Sequence, residues 1–228
     1  MQRPNAENFT SNYEWSKSIS KYHFDDTVID QPGEWFQDLG NIRGDWNDEL
    51  ERIIVDAPER TWATRKSENQ KNRFLAMELN DIAEGGGNPN AVISRLGYNV
   101  EDYPKVNRIA DFFELENVQR RLHVQLTGQL WHLHLDKLYH VDKIHPDRIV
   151  RIMIMLTPWT QGHIYQYGTT YYSHWKAGDV HIFDWMNTPH STANTSYKPR
   201  VTLQLTGIKT SKTQEIIDNA PYTFPDIL

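Results

Sequence analysis

Short apolar segments separated by turn residues dominate the second half of this chain. From about residue 120 onward, most of these segments are strand-sized and bounded by turns such as Thr127-Gly128 and Ala177-Gly178. Several short strands with no long helix between them favour a β-sandwich or a jelly roll. The predicted strands are Arg121–Leu126, Gln129–Leu135, Arg148–Leu156, Gly162–Gln166, Thr170–His174, Asp179–Phe183 and Arg200–Gly207.

The first half of the chain has helical and irregular character instead. Residues 1 to about 60 are polar and only weakly periodic, and apolar residues recur at helical spacing further on. We expect these helices to pack outside one sheet of a mainly β fold. No repeat or linker divides the sequence, which predicts one domain: a support region (1–119), a jelly-roll core (120–207) and a tail (208–228). The predicted helices are Asp48–Val55, Asn69–Ile82, Asn90–Leu96, Pro104–Leu115 and, in the tail, Gln214–Ile217.

Composition excludes several classes of function. The chain has no cysteine, so it has no disulfides, thiolate metal sites or cysteine nucleophiles, and a metal would have to be held by His, Asp or Glu. Its net charge of −6 offers no basic surface for nucleic acid. No apolar run approaches the ~20 residues that span a bilayer, and the first residues lack the apolar core of a signal peptide. We therefore expect a cytoplasmic protein with no nucleic-acid or membrane partner.

The tripeptide His-x-Asp is the first candidate for metal chemistry, but it is common in this chain. His134 fits a metal ligand best, because it follows an alternating strand and Asp136 then begins a loop, so that both side chains can converge. The pair His140 and Asp142 is the rival, although it lies inside the predicted loop. The other occurrences are His23-Phe24-Asp25 and His145-Pro146-Asp147.

A second histidine and an arginine follow further along the chain. His190 comes after the predicted strand Asp179–Phe183, which leaves room for intervening strands between it and Asp136. Arg200 opens the last predicted strand, and a period of two places it on one face with Thr202 and Gln204. Two histidines and one carboxylate can hold Fe(II) with open positions, and an arginine can grip a carboxylate through two parallel hydrogen bonds.

Together these motifs resemble the Fe(II)/2-oxoglutarate-dependent oxygenases. The double-stranded β-helix (jelly-roll, cupin-like) of that superfamily carries His-x-Asp, a distal His and an Arg about ten residues beyond it, often as Arg-x-Ser/Thr. The segment Trp175-Lys176-Ala177-Gly178-Asp179-Val180-His181-Ile182-Phe183-Asp184 is similar to the Gly-Asp strand that precedes the distal His. The resemblance covers roughly residues 120–207, and the layout is most similar to the aspartyl/asparaginyl β-hydroxylase and free-proline hydroxylase branch.

The resemblance implies roles for individual residues. His134, Asp136 and His190 would hold Fe(II), and Arg200, assisted by Thr202, would bind the distal carboxylate of 2-oxoglutarate. Arg151 would be a further contact to the co-substrate or substrate, with a salt bridge as the alternative. The implied reaction uses O₂ to hydroxylate an unactivated C–H of a small molecule, amino-acid side chain or peptide, and releases succinate and CO₂.

Two other functions fit the same fold. A cupin-like metal enzyme without 2-oxoglutarate would bind metal but form no succinate. A non-enzymatic jelly-roll binding module for carbohydrate or protein would bind no metal. A fold alone does not separate these functions, so the site must. The matched motifs specify neither the prime substrate nor the oligomeric state.

Overall fold

The computed structural model describes residues 35–60, 94–96, 102–138 and 140–228, which form two antiparallel sheets with helices on one side. The strands are β1 (Phe36–Asn41), β2 (Ser94–Leu96), β3 (Glu116–Gln125), β4 (Leu130–His134), β5 (Ile149–Met155), β6 (His163–Tyr167), β7 (Thr170–Tyr172), β8 (Asp179–Phe183), β9 (His190–Asn194) and β10 (Arg200–Ile208). The helices are α1 (Asn47–Arg60), α2 (Pro104–Phe112), α3 (Ser211–Asp218) and a 3-10 turn at Pro146–Arg148.

The strand order is that of a jelly roll. The larger sheet has the order β1-β8-β5-β10-β3-β2, and the smaller sheet has the order β4-β9-β6-β7. The eight strands from β3 to β10 are shared equally between the two sheets, so the chain crosses repeatedly from one sheet to the other. This arrangement is a double-stranded β-helix, and β1 and β2 extend the larger sheet at its two edges.

Strand β10 lies in the middle of the larger sheet, between β3 and β5, and all of its residues are buried. Its side chains alternate between the two faces. Val201, Leu203 and Leu205 belong to the apolar core outside the larger sheet. Arg200 and Thr202 contact residues in the space between the sheets, as the sequence predicts.

Helices α1 and α2 cover the outer face of the larger sheet. Ile53 of α1 and Val106 and Ile109 of α2 are fully buried in the same core as the outer side chains of β10. Glu49 of α1 accepts hydrogen bonds at 2.8 and 2.9 Å from the first free backbone N–H groups of α2, which joins the two helices and satisfies a helix end. The prediction that helices pack outside one sheet is therefore confirmed. None of the described helices is long and apolar enough to cross a membrane.

A second core fills the space between the sheets and is rich in aromatic residues and methionine. Its buried members are Trp35, Leu138, Ile149, Met153, Met155, Tyr165, Tyr167, Trp175, Phe183 and Trp185. We call this space the lumen. Polar side chains of β4, β5, β9 and β10 are buried beside this core, and they form the candidate site described below.

Three elements differ from the sequence prediction. Residues Ser94–Leu96 form β2, which pairs with β3, although a helix was expected at Asn90–Leu96. Strand β1 lies in a region expected to be irregular, and β9 was not predicted as a strand. The predicted helix Asn69–Ile82 lies outside the described residues.

Candidate metal site and anion slot

The pairing of β4 with β9 brings together three side chains of types that can bind a metal ion. His134 ends β4 and lies directly opposite His190, which begins β9, while Asp136 follows two residues after His134. Nε2 of His134 is 3.6 Å from Oδ1 of Asp136, and Nε2 of His190 is 3.6 Å from Oδ2. The potential ligand atoms all lie within 4.8 Å of one another, and all three side chains are buried. This is the only such group of three or more among the residues that the structure describes.

His190 is oriented by a backbone carbonyl. Its Nδ1 lies 3.1 Å from the carbonyl oxygen of Thr188, so Nδ1–H donates and the lone pair of Nε2 faces the group. Burial, and then the neighbouring His134, lower the pKa of His190 to about 3. The ring is therefore neutral at physiological pH, the form that binds metals, and its second nitrogen is fixed in the way typical of metal-binding histidines.

His134 is contacted by an indole from its own strand. Nε1–H of Trp131 donates to Nε2 of His134 at 3.2 Å, and the two rings meet nearly edge to face. A metal bound at this nitrogen would replace the indole N–H as the partner of the lone pair.

Asp136 forms a buried ion pair with Arg151 of β5, between Oδ2 and Nη1. Burial by itself would raise the pKa of Asp136, but Arg151 and the two histidines outweigh it and hold the pKa well below its ordinary value. Arg151 is held in turn by Thr206 of β10, whose hydroxyl accepts from Nε at 3.2 Å. With the amide of Gln204 oriented to satisfy its neighbours, its oxygen also accepts from Arg151. Asp136 is thus a fixed, ionised carboxylate.

Arg200 is a buried guanidinium with free donors. Only 1% of the residue is exposed, yet Nε and Nη1 have no hydrogen-bond partner among the described residues. Its Cζ lies 4.7 Å from the centre of the Tyr165 ring, and burial lowers its pKa to about 10. An unpaired buried charge is costly, so the two donors form a slot suited to an anion. Thr202 shares this face of β10, and its hydroxyl lies 3.9 Å from Sδ of Met155.

A wall of aromatic rings links the Arg200 slot to the metal-binding group. Tyr165 stacks on Tyr167 with ring centres 5.0 Å apart, and Tyr167 lies 6.0 Å from the ring of His190. The hydroxyl of Tyr167 is hydrogen-bonded to Nε2 of His181 at 2.7 Å. Both tyrosines are buried, and their rings connect Arg200 to His190 in one row of contacts.

The structure also separates the alternatives left open by the sequence. In the rival pair, Asp142 accepts from backbone N–H groups of its own loop, and His140 is exposed beside Gln119. Neither joins the group formed by His134. For Arg151, the salt bridge is the arrangement found. The contact of Trp131 with His134 was not anticipated, and no sequence signal marks it.

The donor set fits a divalent ion, and the slot fits a carboxylate. Two imidazoles and one ionised carboxylate are typical ligands for Fe(II) with open coordination positions. The unpaired donors of Arg200 can be satisfied by the two oxygens of a carboxylate.

No protein-family model and no curated protein matches the chain. Among solved structures, it is similar to the viral collagen prolyl hydroxylase of Paramecium bursaria Chlorella virus-1, with 12% identity over 77% of this chain and 98% of that chain and a TM-score of 0.43. The Pseudomonas putida prolyl-4-hydroxylase is 12% identical over 82% and 99% of the two chains, with a TM-score of 0.40. The non-heme monooxygenase ThoJ, in its nickel complex, is 13% identical over 77% and 74%, with a TM-score of 0.45. Prolyl hydroxylases and a non-heme monooxygenase are thus among the structures that this chain is similar to, at low sequence identity.

Proposed function

We propose that this protein is an Fe(II)- and 2-oxoglutarate-dependent dioxygenase. It hydroxylates an unactivated C–H of a small molecule or an amino-acid side chain and releases succinate and CO₂. One observation carries the proposal: the group formed by His134, Asp136 and His190 is connected, through the rings of two tyrosines, to a buried Arg200 whose donors are unpaired. A metal site alone fits many enzymes, whereas the added slot for a carboxylate fits a co-substrate with a carboxylate at its far end.

In this proposal His134, Asp136 and His190 would hold the iron. The iron, when bound, supplies the activation of O₂ and the oxidation of the C–H bond. The carbonyl of Thr188 fixes the ring of His190, and the ion pair with Arg151 fixes the carboxylate of Asp136. The protein thus presents three ligands whose orientation is set before the metal arrives.

Arg200 binds the distal carboxylate of the co-substrate. Its guanidinium cannot lose its proton at neutral pH even with a pKa near 10, so it remains a cation inside a largely apolar lumen. Tyr165 lies against the guanidinium and leaves its edge donors for the ligand. A carboxylate bound there gains charge-assisted hydrogen bonds that water competes with poorly in a buried site.

The test is an anaerobic titration of the Fe(II)-loaded protein with 2-oxoglutarate, following the weak visible charge-transfer band of the chelate. We expect the band in the wild type, its loss in Asp136→Ala through loss of iron, and a much weaker response in Arg200→Met with iron retained. Arg148→Met is the matched control, because Arg148 is half exposed and pairs with Glu116 on the surface. Bound iron without a band would refute the use of 2-oxoglutarate, and failure to bind iron would refute the metal site.

A further inference from the structure

The slot around Arg200 has a second wall, formed by Gln125. Gln125 ends β3 and is the direct cross-strand partner of Arg200. Residues directly opposite in an antiparallel pair project to the same face, with Cβ atoms ~4.5–5.5 Å apart. Gln125 is fully buried, so its carboxamide lies beside the guanidinium and away from solvent.

Unpaired polar atoms concentrate at these two residues. Among the described residues, the buried side-chain atoms without a hydrogen-bond partner are Oε1 of Gln125, Nε and Nη1 of Arg200, and Nδ1 of His181. Three of these four atoms belong to the adjacent pair, yet the acceptor of Gln125 does not pair with the donors of Arg200. Each unpaired buried group costs ~1–3 kcal/mol, so their clustering indicates a ligand site.

The carboxamide of Gln125 can reverse without losing its other partner. In the present orientation Nε2 donates to the hydroxyl of Thr192 at 3.1 Å. A hydroxyl can donate as well as accept, so after a half-turn of the amide Thr192 donates to Oε1 instead. The NH₂ group then faces the slot, and Gln125 becomes a third donor beside the two of Arg200.

We propose that Gln125 binds the distal carboxylate of the co-substrate together with Arg200, and that Thr192 is the positioning residue that lets the amide turn. The inference rests on the proposed function, whose co-substrate it concerns. When the slot holds a carboxylate, the NH₂ of Gln125 donates to it and no polar atom of the pair is left unsatisfied. The slot therefore favours an ionised carboxylate over a neutral amide, because only an anion compensates the positive charge of Arg200.

The first experiment measures carboxylate binding at the Arg200 slot in the absence of iron. Glutarate contains the distal carboxylate but cannot chelate through a keto group, so its effect on thermal unfolding of the metal-free protein reports the slot alone. We expect glutarate to stabilise the wild type and Gln119→Leu, a control on the same strand, and to have little effect on Gln125→Leu or Gln125→Glu. The diamide, glutaramide, has no carboxylate and should stabilise none of them.

The second experiment uses the chelate band of the Fe(II)-loaded protein. We expect Gln125→Leu to raise the Kd for 2-oxoglutarate roughly ten- to hundredfold, as for loss of one hydrogen bond to a charged group, with iron affinity unchanged. Thr192→Val should raise the Kd severalfold and Thr192→Ser should not, because serine keeps the hydroxyl. The serine–valine comparison remains informative if Gln125 variants fold poorly.

The outcomes separate the two proposals. Wild-type affinity in Gln125→Leu, alongside loss of binding in Arg200→Met, would overturn the role of Gln125 and leave the proposed function intact. Stabilisation by glutarate that depends on Gln125, without a chelate band in the wild type, would support the slot and overturn the proposed function.

Discussion

Replacing Arg200 by methionine should stabilise the metal-free protein while abolishing its binding of 2-oxoglutarate. The arginine is 1% exposed and carries two unpaired donors, so its buried charge destabilises the folded protein when no anion is bound. Methionine has a similar length, keeps contact with Tyr165 and brings no charge.

The expected size follows from the pKa of Arg200. Burial lowers this pKa from its ordinary value to about 10, which corresponds to roughly 3 kcal/mol against the charged form in the folded protein. This penalty applies in full at neutral pH, because Arg200 is protonated there in both the folded and the unfolded protein and its pKa is lower in the folded protein. Loss of the contact between cation and ring offsets about 1 kcal/mol. We therefore expect about 2 kcal/mol of added stability, or a rise in Tm of roughly 4–8 °C for a chain of this size.

The assay is thermal unfolding of metal-free wild type and Arg200→Met by circular dichroism, with and without glutarate. Glutarate should raise the Tm of the wild type and leave that of the variant unchanged. A variant that unfolds at a lower temperature than the wild type would show that the guanidinium is already well paired in the folded protein. The assignment of an empty anion slot would then be wrong.

Three further predictions concern other parts of the molecule. His181 is buried, and its pKa is lowered to about 3. As the pH falls, this histidine is protonated near pH 6.5 in the unfolded chain but only near pH 3 in the folded protein, so the free energy of unfolding decreases between these two pH values. In His181→Gln, the free energy of unfolding in urea should therefore fall less steeply between pH 6 and pH 4 than in the wild type, by about 1.4 kcal/mol per pH unit. The same pH dependence in the two proteins would contradict this prediction. Trp131→Phe should tighten Fe(II) binding about two- to tenfold in an anaerobic titration, because the indole no longer occupies Nε2 of His134; weaker binding would contradict this. Gly178→Ala should cost roughly 2–4 kcal/mol, since its φ is +89° and a Cβ would overlap a backbone carbonyl, whereas Gly128→Ala, with a φ of +81° and open space around it, should cost about 1 kcal/mol by thermal unfolding.

The jelly roll could be predicted from the sequence because most of its strands show their pattern locally. The alternation of β10 follows from its two-residue periodicity, and the start of β8 follows from the turn at Ala177-Gly178. Both faces of β5 are buried, so the apolar run from Ile152 to Leu156 also indicates a strand. The outer helix α2 follows from its apolar stripe, whereas α1 lies in the weakly periodic part of the sequence.

The strands that escaped prediction lack such a pattern. Strand β9 has the sequence His190-Ser-Thr-Ala-Asn194, and its buried side chains are polar because they face the site. Strand β1 contains glycine, aspartate and asparagine, and its pairing with β8 holds it extended. Residues Ser94–Leu96 pair with β3, a contact between distant segments that overrides local helical preference. In each case the missing information lies in another part of the chain.

Part of the candidate site could also be predicted from local sequence, and part of it could not. The spacing of His134, Asp136, His190 and Arg200 could be read from the sequence, since the histidines and the arginine lie at strand ends. The ion pair of Arg151 with Asp136 and the free donors of the slot depend on how β4, β5 and β10 align across the lumen. No local pattern encodes that alignment.

Strand β10 also limits how the length of this chain can change. Its residues alternate between a core that stabilises the fold and a lumen that holds the candidate site. Inserting or deleting one residue inside β10 would reverse the faces of its side chains. The leucines would then face the slot, and Arg200 and its polar neighbours would face the core under the helices. Natural variants of this protein should therefore vary in length at the turn between Asn194 and Arg200 and keep the number of residues in β10 unchanged.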